Sequence, residues 1–485
     1  MTCCHHCFET TAEDWIVCAN CGWVRFCSSE CERSANRLYH LLECKHAALL
    51  CQVDKWDRSI VLAIRILLAA KPYELLASTH VQSHSSCDTD PIPDCDSSGC
   101  FQSDYCSVYS LMTHDKKQPD VAACYQKIVH QLADAFVSDI FRPRFDTCRD
   151  TELSESRTTF QQLSLSEVQD KKDVVEKLLL HHLMQLRCNV HAITKIISEE
   201  ESGGGRSEVS GSVERQRQVR LAMAIFPTAS LLNHSCDPNT VVSYEGRWIT
   251  IRAVRQISKG DQICHCYGPH VKHMSSEKRQ KLLKEQYFFE CDCSACVSDC
   301  SIRNGFPDVF QCPECSESLK ALGNDRAFCK GCKMSFDMAS SLQDWKQAVH
   351  LYDQGTKLVD TGNHKGALKS FRNSLKICRR LLHVSSKTLG QTHDSIAEVY
   401  ALLGNFAKAA SHCAGSCKTV EALYGSDSVE LGNELFKLCQ LQFNARKPVE
   451  VLETIGRARH LLCLYYGSTD ERVVELQQMR EFLAV

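Results

Sequence analysis

Cysteine spacing constrains this chain more than any other feature. Its 485 residues hold 32 cysteines, most of them grouped in close pairs, and such pairs must be oxidised, hold metal or stay inert. The N-terminal segment carries Cys4, Cys7, Cys18, Cys21, Cys27, Cys31, His40 and Cys44, four pairs with two or three residues between partners. Tetrahedral zinc takes four N or S ligands, so eight imply two ions. A second group, Cys291, Cys293 and Cys296, offers three thiols and lacks a fourth ligand. Cys236, in the stretch Asn233-His234-Ser235-Cys236, is the candidate to complete it; Cys300 and His270 are the local alternatives. The third group, Cys312-Pro-Glu-Cys315 with Cys329-Lys-Gly-Cys332, has the spacing of a closed structural zinc ribbon. About four structural zinc ions are therefore expected. The N-terminus opens into Cys3-Cys4-His5-His6-Cys7 with no charged and then apolar leader. Zinc in a reducing compartment, cytoplasm or nucleus, is the expected setting. Cys3, His5 and His6 read as bystanders, and the irregularly spaced Cys87, Cys95, Cys100 and Cys106 as binding nothing.

The bulk numbers exclude several classes. A net charge of -3 and a pI near 6.7 give no overall pull toward nucleic acid or anionic membrane. The longest apolar run, Ile60 to Ala70, is interrupted by Arg65 and is too short to span a bilayer. The order along the chain reads as an α+β multidomain protein. Residues 1–45 form the zinc finger, and 46–218 a helical region with variable loops at 80–107 and 198–218. Within it, helical patterns run from Ser59 to Leu76, Pro119 to Val137 and Asp173 to Ile197. A β-rich core follows at 219–270, with a hairpin turning at Glu245-Gly246 and a turn at Ser258–Asp261 leading to a strand that ends near Tyr267. Residues 271–300 carry a short helix, Gln280 to Tyr287, and the cysteine run; 301–340 is the ribbon. Residues 341–485 are helical and repetitive: Gly362-Asn363 recurs as Gly404-Asn405, and Leu423-Tyr424-Gly425-Ser426 as Tyr465-Tyr466-Gly467-Ser468, both with a period of 42. That length suits stacked helix pairs of tetratricopeptide type, slightly longer than the standard unit; an unrelated helical bundle is the alternative.

The paired ligands of residues 1–45 resemble the MYND finger. In that family the pairs interleave, which implies Cys4, Cys7, Cys27 and Cys31 on one ion and Cys18, Cys21, His40 and Cys44 on the other. The finger has more acidic than basic residues, so duplex DNA is not the expected partner. Taken with Phe226 to Asn239, which contains Leu231-Leu232-Asn233-His234-Ser235-Cys236-Asp237-Pro238-Asn239, and with His265-Cys266-Tyr267-Gly268, the chain resembles the SET and MYND domain-containing family of protein-lysine methyltransferases.

That resemblance implies a SET fold with an inserted MYND finger, a cysteine-rich post-SET zinc site and helical repeats. It also implies S-adenosylmethionine contacts at Asn189, Ser230, Asn233, His234 and Tyr267, with Tyr287 and Phe289 lining the cofactor and the lysine channel. The chemistry of those residues agrees. In-line methyl transfer from a sulfonium needs a neutral amine, a positioned methyl and little water. A tyrosine hydroxyl such as that of Tyr267 can orient the amine, which makes it the catalytic candidate, and aromatic faces tolerate the cations. The partners implied are a substrate lysine, peptides gripped by finger and repeats, and histone deacetylase complexes in repression, with the chain as a monomer. The family also places a Gly-x-Gly segment ahead of its finger, and none precedes Cys4. The expectation is then that the other half of the cofactor pocket is missing here, and that the competing reading is a catalytically impaired adaptor.

Overall fold

The computed structural model describes residues 3–12, 14–78, 104–141, 165–199, 215–299, 306–323 and 325–483. The expectations for Cys87, Cys95, Cys100, Gly203 to Gly205 and Cys300 lie outside the described residues. Among those described, no helix is long and apolar enough to cross a membrane, and every cysteine is free.

The N-terminal segment has almost no apolar core of its own: Cys4, Val24, Phe26 and Ala35 form its buried apolar cluster. The antiparallel pair Ile16–Val17 and Arg25–Phe26 turns back through Cys18 and Cys21. Ser28 then caps the helix Ser29–Ala35 by accepting from the Cys31 amide at 3.2 Å, which fixes the place of Cys31. A π-helical turn, Asn36–His40, carries His40 inward. Helices Ala47–Trp56, Ser59–Ala69, Pro119–Ile140 and Leu165–Asn189 share a second core built on Leu50, Ile60, Ile64, Leu67, Phe136 and Leu179. Arg65, which breaks the apolar run in sequence, leaves this core to meet the finger. Its Nε and Nη2 donate to the buried Glu43 carboxylate at 2.5 and 2.9 Å.

The helical pattern read from Asp173 to Ile197 stops at Asn189. Val190–Glu199 is a strand, antiparallel to Arg215–Ile225, with Val190 opposite Ile225 and Glu199 opposite Arg215. Ile193, Thr194, Ile196 and Ile197 are β-branched and fit a pleated surface better than a helix. Their partner strand, beyond any local window, decides the outcome. The linker expected over 198–218 is correspondingly shorter at both ends.

In the β-rich core, Thr240–Glu245 pairs with Trp248–Ala253, and the two-residue turn is Gly246-Arg247, one position later than expected. Gly246 takes the left-handed φ of 55°, which glycine adopts without strain. A Cβ there would also stand 3.0 Å from the Cys7 carbonyl, so the hairpin tip abuts the finger. Asn233–His234 lies parallel to Cys264–His265. Ser275 caps the helix Ser276–Tyr287, which starts before Gln280 as a result.

Beyond it, Leu319–Gly323, Arg326–Cys329 and Ser335–Asp337 form a three-stranded antiparallel sheet. Helix Ala339–Asp360 opens the repeats. Helices His364–Leu381, Phe406–Tyr424 and Pro448–Tyr466 alternate with Lys387–Leu402, Val429–Asn444 and Glu471–Leu483. Starts at 364, 406 and 448, and at 387, 429 and 471, put both sets on a 42-residue period. Asn363 and Asn405 cap equivalent helices; in the third copy Lys447-Pro448 stands at that point, where Pro's fixed φ replaces the cap. One continuous core runs from Phe310 in the ribbon to Leu476, so ribbon and repeats pack as one body. The repeats also meet the β-rich core and the segment after it: the Arg252 guanidinium of the hairpin rests against Gly467, where a Cβ would lie 2.6 Å from Nη2, and His273, ahead of helix Ser276–Tyr287, lies 2.9 Å from the Glu430 carboxylate.

Candidate functional site

Four groups of four ligands converge, each with its donor atoms within 4.8 Å of one another: Cys4, Cys7, Cys27 and Cys31; Cys18, Cys21, His40 and Cys44; Cys236, Cys291, Cys293 and Cys296; Cys312, Cys315, Cys329 and Cys332. A zinc tetrahedron with bonds of about 2.3 Å has S–S edges of about 3.8 Å. The pairs measured here are Cys7–Cys27 at 3.4 Å, Cys18–Cys44 at 3.8 Å, Cys236–Cys296 at 3.5 Å and Cys312–Cys332 at 3.6 Å. Those separations are well beyond the about 2 Å of a disulfide. The donor sets therefore fit zinc. The finger pairs interleave in the order the resemblance implied, and Cys236 rather than His270 meets the cysteine run.

Around that third cluster stand residues that spacing did not reveal. Arg279 is fully buried, donates to the Met274 carbonyl at 2.6 Å and lies 3.6 Å from the Cys296 sulfur. A guanidinium here offsets the charge that four thiolates place on one divalent ion. Gln280 clasps Cys291 at both backbone groups, donating to its carbonyl at 2.6 Å and accepting from its amide at 2.9 Å. Both lie on the helix that the sequence identified only from Gln280 onward. A buried Arg in a polar helix leaves no mark in the pattern.

The cluster holds Cys236 two residues from His234, and His234 in turn fixes Tyr267. The Tyr267 amide donates to His234 Nδ1 at 3.0 Å, and its hydroxyl donates to the Leu232 carbonyl at 2.7 Å. The Tyr287 hydroxyl donates to the Tyr267 carbonyl at 3.2 Å. His234, His265, Tyr287 and Phe289 surround the Tyr267 ring with centroids 5.2, 5.0, 4.8 and 6.5 Å away. Behind them His191 stacks on His265 at 5.8 Å, meets Phe226 at 5.6 Å and bonds the Tyr244 hydroxyl at 3.2 Å. Burial raises the Tyr267 phenol to about 12, with nearby Cys264 and Cys188 adding to it. Burial lowers His234 to about 4, helped by His265, and lowers His265 to about 4, helped by His191. Near neutral pH this wall is an uncharged phenol among uncharged imidazoles. His234 has Cys236 at 3.3 Å from its Nε2, so its side chain serves the site from within and is not presented outward.

The other expected contacts are distributed differently. The Ser230 hydroxyl is buried without a hydrogen-bond partner among the described residues. Asn233 is exposed. Asn189, at the end of helix Leu165–Asn189, spends its amide donor on the Met112 and Gln185 carbonyls at 2.9 and 2.8 Å. The strand that follows delivers His191 to the ring cluster. The register that defeated the helical reading is thus what builds one side of the site.

Residues 14–268 match the SET domain family profile. Over 99% of its length the chain is 32% identical to the protein-lysine N-methyltransferase SMYD4 of Mus musculus, covering 62% of that protein. It is 30% identical to the protein of the same name from Danio rerio over 99% of this chain and 67% of the relative. The histone-lysine N-methyltransferase SMYD3 of Mus musculus is 30% identical over 37% of each chain. The chain thus spans about 62% of the length of the first of these relatives.

Proposed function

We propose that this chain, which belongs to the SET and MYND domain-containing family and resembles its member 4, transfers a methyl group from S-adenosylmethionine to a lysine of a protein substrate. The observation that carries the reading is Tyr267: an uncharged phenol, fixed at amide, carbonyl and hydroxyl, inside a wall of aromatic and imidazole rings. A phenolic oxygen that donates to Leu232 keeps a lone pair with which to orient an amine, and a dry wall favours the neutral amine that methyl transfer needs. S-adenosylmethionine, when bound, supplies the electrophilic methyl on a sulfonium. The unpartnered Ser230 hydroxyl, the exposed Asn233 amide and the Asn189 carbonyl oxygen fit its polar groups. Tyr287 and Phe289 give aromatic faces to the sulfonium and to the lysine chain. The zinc at Cys236, Cys291, Cys293 and Cys296 pins the aromatic segment to the strand that bears His234. On the same reading the helical repeats are tetratricopeptide-like, and they and the finger grip peptide partners, histone deacetylase complexes among them, in nucleus and cytoplasm.

Calorimetry of the purified chain with S-adenosylmethionine, followed by transfer of radiolabelled methyl to lysine in a protein extract, tests this. Saturable cofactor binding and labelled methyl-lysine are the expected results. Absence of cofactor binding overturns the reading for this chain and leaves a peptide-gripping adaptor.

A further inference from the structure

Helix His364–Leu381 carries Arg372, Lys376, Arg379 and Arg380, spaced so that one face bears all four permanent cations. With Leu375 beneath them and His412 of helix Phe406–Tyr424 opposite, they line a concavity of about 540 Å³. Of the four, Arg380 has a carboxylate partner, Asp344 at 2.5 Å. Arg372 donates to the Tyr400 hydroxyl, which leaves its charge in place. Arg379 donates to Nε2 of His393 at 3.5 Å; burial, then Arg379, lower that imidazole to about 4, so it is neutral and leaves the Arg379 charge in place. Lys376 has no ion pair among the described residues. In a chain whose acidic residues outnumber its basic ones, 59 to 56, this is a local excess of positive charge of which one member, Arg380, meets a carboxylate among the described residues. His412 shows its effect: burial, then Arg379 and Arg372, push its imidazole below the ordinary range. Its buried Nδ1 also has no hydrogen-bond partner among the described residues.

We propose that this concavity binds a phosphate group borne by a phosphorylated partner peptide. Three cations without a carboxylate partner match a dianion with three acceptor oxygens better than a single carboxylate, and the arginine forks suit phosphate geometry. Nucleic acid is a poorer match. The cations fill one pocket and do not track a backbone. The adjacent ring, Tyr400, is 4% exposed, which leaves no aromatic platform for a base. None of the residues that line it belongs to the Tyr267 site, and the proposal does not depend on the methyl-transfer reading.

The test is fluorescence anisotropy on the full chain. The probes are a labelled alanine-flanked phosphoserine peptide and its unphosphorylated twin, with inorganic phosphate and oligouridine as competitors. The phosphopeptide should bind at least about tenfold more tightly than its twin and more tightly than inorganic phosphate. The double variant Lys376→Gln/Arg379→Gln should lose that preference with its helix signal intact. Lys259→Gln, which removes one charge from a remote turn, should keep it. Equal binding of the twins by the unaltered chain overturns the proposal, as does inorganic phosphate binding as tightly as the peptide. Oligouridine displacing the peptide through the same two side chains reassigns the pocket to nucleic acid and overturns it equally.

Discussion

Two glycines in the repeat helices make opposite predictions for the same substitution. Gly355 lies within helix Ala339–Asp360, and a Cβ placed on it would stand 2.5, 2.6 and 2.9 Å from Cε1, Cδ1 and Cζ of Phe371. Ordinary carbon contacts are about 3.5–4.0 Å, so the overlap approaches an ångström. The Phe371 ring is 1% exposed and packs against Tyr352 with centroids 5.4 Å apart, which leaves it little room to move. Alanine in a helix gains about 1 kcal/mol over glycine, while overpacking a rigid core costs about 1–3 kcal/mol. With the overlap at the severe end, Gly355→Ala should lose about 2 kcal/mol. Gly456, in helix Pro448–Tyr466, has nothing within 4 Å of the same added atom, so Gly456→Ala should gain about 1 kcal/mol. Urea unfolding followed by far-ultraviolet circular dichroism measures both. In thermal unfolding, each kcal/mol is about 2–4 °C for a cooperative unit of 150–250 residues. Phe371→Leu, which opens the space, should shrink the cost of Gly355→Ala in a double-mutant cycle. The reasoning is refuted if the two alanine variants shift stability in the same direction, or if Phe371→Leu leaves the Gly355→Ala cost unchanged.

Tyr267→Phe should lower kcat by about 10²- to 10³-fold with cofactor affinity nearly unchanged, as read by calorimetry beside steady-state kinetics. Native mass spectrometry should count four zinc ions per chain, the number of ligand groups brought together. Cys236→Ser should lose one of them together with methyl transfer, while the finger keeps its own. Burial alone would raise the Glu43 carboxyl, but Arg65 and the His5 hydrogen bond outweigh it and hold it at about 2, against 4.5 ordinarily. A depressed carboxylate contributes stability above its unfolded value and loses it as pH falls toward its folded one. Glu43→Gln should therefore cost about 3–5 kcal/mol near neutrality. Urea midpoints of the two chains at neutral pH with zinc in excess measure the loss.

The zinc ligands were legible because their chemistry is local: two cysteines with two residues between them can bite one ion wherever the rest of the chain goes. The repeat period was legible for a similar reason, since Asn363 and Asn405 each cap a helix within a few residues. What escaped was decided at long range. Val190 to Glu199 became a strand because Arg215 to Ile225 pairs with it, and no window around Ile193 contains that partner. The third repeat was marked at its end, by Tyr465 to Ser468, and not at its start, because Lys447-Pro448 stands where the earlier copies carry a capping Asn. Arg279, Gln280, His191 and His265 support the site through packing and single hydrogen bonds, which impose no spacing. The Glu43–Arg65 link was seen only as an interruption in an apolar run. The turn at Gly246-Arg247 differed by one residue because several neighbouring positions tolerate a tight turn, and the register was settled by the strands.

The alternation of ligand pairs in the finger has a consequence for how it acquires metal. Cys18 and Cys21 ride on the loop that Cys7 and Cys27 close, and His40 and Cys44 lie beyond the helix that Cys31 anchors. Emptying one shell releases the segment that presents half of the other. Zinc uptake by this segment is consequently an all-or-none event: titrated with metal, its ordering should rise sigmoidally, and a single lost thiol should vacate two ions.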